Sequence, residues 1–180
     1  MSLKSIEEGI KKYVPNAVME VVYNEKLNRP LLFVATRPNI RTLAVYDESR
    51  GFKEVAKIRY NLNGNSVYIS SFVVDVDYQG CGIGKTIFNF AMAHLDAMGG
   101  TRLYGTASPT DPIKGVSTDS DESYENEVRT LKTIYEKLGC RFIDDENFVQ
   151  DWEHGDKINE IDPSLRKMIG EWVKRDTKIM

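Results

Sequence analysis

Between Asn65 and Met98 the chain switches from strand-like to helix-like patterning, and it does so across a cluster of glycines. The stretch "NSVYISSFVVDV" is rich in β-branched and aromatic residues and becomes continuously apolar toward its end, as a central strand does. From Ile83 onward, Ile87, Phe88, Ala91, Leu95 and Met98 recur at helical spacing down to Gly99-Gly100, a C-terminal stop. Between them stands "QGCGIGKT", in which Gly80, Gly82 and Gly84 alternate. A strand that feeds through such a turn into a helix leaves unpaired backbone N–H groups at the helix start, where the macrodipole favours an anion. Glycines let the backbone approach that anion closely, so the joint is predicted to hold a phosphate or pyrophosphate.

The spacing narrows which phosphate. A Gly-Lys-Thr ending suggests a nucleoside triphosphate loop, but that motif requires glycine five residues before Gly84, and Gln79 stands there. The dinucleotide fingerprint G-x-G-x-x-G fails as well, because its sixth place is Lys85. The order that fits is Gln-x-x-Gly-x-Gly, carried by Gln79, Gly82 and Gly84.

Upstream, "SIEEGIKKYV" spaces Ser5 and Glu8 as a capping box and puts Ile6, Ile10 and Tyr13 on one face, which predicts a short helix. Residues 14–54 then read as mainly extended: "AVMEVVY", "PLLFVAT" and "TLAVYD" are strands, followed by two long arms around an Asn63-Gly64 turn. In the first arm Ala56, Ile58, Tyr60 and Leu62 alternate with Lys57, Arg59 and Asn61, giving one buried and one wet face. Downstream, "RLYGTA" is a strand. The polar stretch 108–126 is too long for an ordinary connection and is a candidate lid. Val128, Leu131, Ile134, Tyr135 and Leu138 mark a helix closed by Gly139, and "CRFI" a further strand. Asp162 and Pro163 open a last helix striped by Leu165, Met168, Ile169, Trp172 and Val173, which docks on the core or on a second copy of the chain as a homodimer.

Bulk properties exclude several classes. A chain of 180 residues, 41% hydrophobic and 28% charged, suits one soluble domain over 1–180. No apolar run reaches the ~20 residues a bilayer requires and no leader opens the chain, so a cytoplasmic protein is expected. The net charge of -3 lacks a basic tract, which argues against nucleic acid as a partner. Cys81 and Cys140 are far apart, and His94 and His154 are isolated, so reduced thiols and no metal site are expected. His94 reads as a partly buried surface residue.

Gln79–Lys85, the strand "FVVDVDY" before it and "IYEKLGCRF" after it together resemble the GNAT superfamily of acetyl-CoA-dependent N-acetyltransferases over residues 66–143. The resemblance implies an α/β (α+β) fold with a mixed, mostly antiparallel sheet flanked by helices. It implies that Gln79, Gly80, Cys81, Gly82, Ile83, Gly84 and Lys85 bind the pyrophosphate of acetyl-CoA, used as acyl donor. Val74 and Val76 would offer backbone groups to the pantetheine arm and the acetyl carbonyl. Tyr135, at the position of the family's catalytic tyrosine, would protonate the departing thiolate. Val76 replaces the family's frequent proline, Val128 its frequent asparagine seven residues before the tyrosine, and Cys140 its usual aromatic. The extended 14–54 region replaces the usual pair of early helices.

The chemistry so implied is direct acetyl transfer to a primary amine of a small molecule or peptide. An alkylamine is almost all ammonium at neutral pH, so a base or a desolvating pocket is required. Asp75, Asp77, Asp119, Asp121, Glu122 and Glu127 are the candidate bases. The acidic run "DSDESYENE" would suit a cationic acceptor, or is a solvated helix start. The competing reading is a CoA-binding sensor or interaction module without catalysis.

Overall fold

The computed structural model describes residues 3–13, 17–36, 41–107 and 121–179. Helix α1 (Leu3–Tyr13) begins two residues ahead of Ser5, so Ser5 lies inside the helix and is not its cap. The side chains of Ile6 and Tyr13 lie outside the described residues. Strands β1 (Val18–Asn24), β2 (Arg29–Thr36), β3 (Arg41–Asp47), β4 (Lys53–Asn63) and β5 (Ser66–Val74) follow as an antiparallel meander, the extended region expected before the loop.

The β4–β5 turn sits one residue later than predicted. Asn63 pairs with Ser66, so Gly64 and Asn65 form the two-residue loop. Gly64 takes the first loop position at φ 59°. "NGN" permits either register, and a glycine that leads the pair suits the left-handed first residue of a tight hairpin.

Helix α2 (Ile83–Ala97) crosses the sheet to β6 (Arg102–Thr106). Then come α3 (Asp121–Lys137), β7 (Arg141–Phe142), β8 (Asn147–Asp151), α4 (Asp156–Glu160) and α5 (Pro163–Ile179). The eight strands form one sheet in the order β1-β2-β3-β4-β5-β6-β8-β7, with every pairing antiparallel except β5–β6. It is a mixed, mostly antiparallel sheet flanked by helices, and β5 lies near its centre. Residues 121–126 of the polar stretch are the start of α3, and 108–120 lie outside the described residues.

The main core lies between the sheet and α2, α3 and α5, with Phe88, Phe90, Phe148 and Trp172 fully buried. Each such side chain contributes about 1.5–3 kcal/mol by leaving water. A smaller core of Ala17, Leu32 and Val34 lies under Ile10 of α1, so β2 is buried on both faces. Among the described residues no helix is long and apolar enough to cross a membrane, and no cluster of three or more potential metal ligands occurs.

Because α2 packs against the sheet, α4 and α5 together, it is buried nearly all round, and this overturns the surface reading of His94. That residue is 0% exposed, its Nδ1 lies 2.6 Å from the Tyr60 hydroxyl, and Phe90 and Trp172 flank its ring. Asp96, also buried, accepts from the amides of Gly155 (2.7 Å), Lys157 (2.8 Å) and Ile158 (3.0 Å) and so caps α4 from a distant element. Burial alone raises its carboxyl pKa. The backbone donors outweigh that and hold it below the ordinary range. At the chain's end, the predicted cap Asp162 accepts from the Ser164 amide at 2.8 Å.

Candidate functional site

The sheet forks at β5. This strand pairs with β4 along its length, but with β6 only from Ser66 to Ile69. The split coincides with a bulge: Arg59 faces Ser71 and Tyr60 faces Ile69, leaving Ser70 as the extra residue. As a result Phe72 and Val74 share the face of Ile69 and point toward α2. Beyond the bulge one flank of β5 has no strand partner among the described residues.

The backbone polarity along that flank follows from a single bond. The Asp75 amide donates to Val55 at 2.8 Å, so Val74, one residue back and opposite Ala56, turns both its N–H and its C=O away from β4. The carbonyl accepts from Gln79 Nε2 at 3.0 Å, and the N–H faces the gap that β6 leaves. The two valines singled out above are thereby separated. Val74 ends the strand, whereas Val76 is 39% exposed and opens a 3-10 turn, Val76–Tyr78.

The glycine loop follows at once. Gly80 and Gly82 both have φ 84°, where a side chain is strained, while a Cβ at either would meet nothing within 4 Å. Backbone conformation, not crowding within the chain, thus requires glycine at these two places. Gly82 caps α2 with no side-chain bond, and the first helical bond runs from the Thr86 amide to Gly82 O at 3.1 Å. The amides of Ile83, Gly84 and Lys85 precede that bond and end the helix with the positive pole of its dipole. Gly84 differs: it has no positive φ, and a Cβ there would come just into contact with Phe72 and Val74, at 3.4 Å from each, which marks where α2 lies on β5. Cys81 is half-buried and packs against the core, and both thiols are free.

Tyr135 spans the fork. Its ring stacks on Phe148 of β8 at 4.0 Å between centroids and meets Phe72 of β5 and Phe88 of α2 edge-on, each at 6.2 Å. Phe148 in turn covers Gly105, the last β6 residue paired with β5. A Cβ there would lie 2.6 Å from the ring. Tyr135 is 7% exposed, and no group among the described residues hydrogen bonds to its hydroxyl. Burial, with a smaller contribution from Cys140, pushes its pKa well above the ordinary phenol value. Leu131 and Leu138 pack against the same core, while Ile134, at the margin of the stripe, is exposed. Cys140 is buried behind Tyr135, and burial raises its thiol to about 11.

The structure brings Val74, Gln79, the loop glycines and Tyr135 to this fork, and it spreads out the candidate bases. Asp75 pairs with Lys53 at 3.0 Å and accepts from the Asp77 amide, and Lys53 foremost draws its carboxyl below the ordinary range, which makes it a poor base. Asp77 lies in the 3-10 turn and Glu127 is half-exposed on α3. Asp119 and the side chains of Asp121 and Glu122 lie outside the described residues.

Asp47 escaped the sequence reading. It is 0% exposed and accepts from Arg29 (2.6 Å), the Tyr78 hydroxyl (2.6 Å), Ser49 Oγ (2.8 Å) and the Ser49 amide (3.0 Å). Burial opposes its charge, but these donors together outweigh it and hold the carboxyl far below the ordinary range. Tyr78 immediately precedes Gln79, so this network anchors the start of the loop. The only local signal was an Asp ending a strand, which any turn also shows.

A family model described as acetyltransferase (GNAT) family matches residues 51–112, the span that holds β4, β5, the loop, α2 and β6. The chain has a GNAT-like fold. A solved cAMP-binding acyltransferase from Mycobacterium smegmatis superposes with a TM-score of 0.60 at 12% identity, covering 96% of this chain and 61% of that one. A variant of the same protein gives 0.63 at 14% identity, covering 98% and 59%. The GNAT-like chain therefore spans about 60% of the length of these neighbours. An aminoglycoside 6'-N-acetyltransferase complexed with coenzyme A gives 0.47 at 17% identity, covering 64% and 74%. No curated protein matches in sequence.

Proposed function

We propose that this chain, acting as one domain, binds acetyl-CoA and transfers its acetyl group directly to a primary amine of a small molecule or peptide. The observation that carries the reading is the flank of β5 that has no strand partner among the described residues, followed through the loop by uncapped helix amides: Val74 N–H faces the fork, and Ile83, Gly84 and Lys85 open α2. Acetyl-CoA supplies an activated thioester. Gln79 fixes the loop to the end of β5, and the amides of Gly80–Lys85 would hold the pyrophosphate. Val74 N–H would steady the developing oxyanion, a role in which one donor is typically worth about 3 kcal/mol.

Tyr135 would donate a proton to the leaving sulfur. Burial keeps the phenol protonated across the working pH range. It also makes complete transfer to a thiolate more uphill, at about 1.4 kcal/mol per pKa unit, so the phenol acts chiefly as a hydrogen-bond donor to developing charge. The free thiols suit a reducing compartment, and we place the activity in the cytoplasm. One observation favours a second reading, a CoA-binding module without catalysis: Tyr135 is stacked deep among aromatics, as a core residue is.

The test is a thermal-shift comparison of acetyl-CoA with ATP and NAD. A ligand at 100 times its Kd adds about 2.7 kcal/mol to stability, so acetyl-CoA should raise the melting temperature and the others should not. Stabilisation by ATP alone overturns the proposal. Gly82→Val, which forces a β-branched residue to φ 84° at the loop, should abolish the acetyl-CoA shift.

A further inference from the structure

Two side chains of the β1–β2 hairpin reach the glycine loop across more than fifty residues of sequence. Asn24 Nδ2 donates to Cys81 O at 3.1 Å, and Lys26 Nζ donates to Gly80 O at 3.0 Å. The orientation of the Asn24 amide is fixed, because its Oδ1 accepts from the Leu27 amide at 2.9 Å and so turns the NH2 outward to the loop. Leu27 packs against the core. Arg29, the hairpin's last anchor, holds the same Asp47 that receives the Tyr78 hydroxyl one residue before Gln79.

A trans peptide unit points its C=O and the following N–H in opposite directions. Lys26 on Gly80 O and Asn24 on Cys81 O therefore take the two loop carbonyls on the hairpin side and turn the N–H groups of Cys81 and Gly82 away from it. Gly80 and Gly82, at φ 84°, are the places where the backbone could otherwise rotate. An ammonium bound to a carbonyl also polarises its peptide unit, which strengthens the N–H at the other end as a donor.

We infer that the β1–β2 hairpin is the positioning element of the phosphate loop, with Asn24 and Lys26 as positioning residues that aim the loop amides at an anion. The inference rests on the acetyl-CoA reading above. It assigns the extended N-terminal region a task in cofactor binding, carried by residues the loop motif does not contain.

Titration calorimetry of the whole chain with acetyl-CoA, and with S-acetylpantetheine, which lacks the phosphates, separates the possibilities. In Asn24→Ala/Lys26→Ala the Kd for acetyl-CoA should rise about tenfold, as expected for loss of two such bonds, while the Kd for S-acetylpantetheine stays at the wild-type value. Lys26→Arg should keep most of the affinity. Lys26 is exposed, so the single Lys26→Ala variant, which should lose part of the same affinity, remains usable if the double variant folds poorly. Unchanged acetyl-CoA affinity in the double variant, or an equal loss for both ligands, overturns the hairpin's role. A wild-type chain that binds S-acetylpantetheine but not acetyl-CoA also overturns it, and one that binds neither defeats the acetyl-CoA reading itself.

Discussion

The two sides of the fork are built from opposite materials. On the loop side, Asp47 gathers Arg29, Tyr78 and Ser49 into a network in which the buried charge is met by donors from one strand and two turns. On the far side, Tyr135 is held by Phe72, Phe88 and Phe148, and its hydroxyl has no partner among the described residues. A satisfied buried network resists movement and holds the backbone beside it. A polar atom left unpaired at the edge of an aromatic cluster adds little to stability, and under the proposed function its partner is the leaving sulfur. One side is scaffold, and the other is where the proposed function puts the chemistry.

The largest effect should come from breaking the scaffold side. Asp47→Ala leaves the Tyr78 hydroxyl unpaired in a buried place, while the exposed Ser49 turns to water, and should cost about 3 kcal/mol in urea denaturation at neutral pH. The half-exposed Arg29 can rehydrate, which keeps the figure at the lower end for a broken buried pair. The pH dependence has a definite sign. The folded carboxyl lies below its ordinary 3.8, so its contribution is complete above that value and is lost as pH falls through the depressed folded value. Wild type should weaken steeply below about pH 4, and the variant should show a shallower loss there. Equal slopes would mean that other carboxylates govern the acid limb.

Tyr135→Phe probes the chemical side with the opposite profile. Among the described residues the hydroxyl makes no bond to lose, so stability should shift by well under 1 kcal/mol. Acetyl-CoA affinity should hold, and turnover should fall about 100-fold, in the range of a general acid. An amine panel with thiol-release detection reads the rate. Unchanged turnover would leave the phenol a core aromatic and favour the non-catalytic reading. Since burial raises the folded phenol, the neutral side chain favours the fold below its unfolded value, about pH 10, and that contribution is lost as pH rises past it. Tyr135→Phe should therefore resist alkaline unfolding better than wild type.

This contrast explains what could be read from the sequence. Periodicity is local, so the α2 stripe, the meander and the caps at Gly99 and Asp162 were legible. So was the glycine loop, whose φ demands are written in its own residues. The loop's support was not legible, because Asp47 reaches Tyr78 and Lys26 reaches Gly80 across gaps that no motif spans. The same holds for α4, whose cap Asp96 lies on α2, and for His94, whose burial depends on α2 being packed on several sides at once. Tyr135 shows the intermediate case. Its stripe and the family resemblance agreed on its place, but only the register of β5, β6 and β8 puts its ring over the fork.

A third carboxylate tests whether burial, rather than the number of arginine contacts, separates scaffold from surface. Asp151 receives Arg102 at 2.6 Å and Arg141 at 3.4 Å, so it has more arginine partners than Asp47. Its side chain is 44% exposed, against 0% for Asp47. Water can replace the arginines on Asp151 and screens their attraction, whereas nothing replaces them on Asp47. Asp151→Ala should thus leave the urea midpoint within experimental scatter of wild type, and what small difference exists should vanish in high salt. A loss comparable to that of Asp47→Ala would show that the β6–β8 pairing depends on this ion pair, and the scaffold would then extend along both arms of the fork.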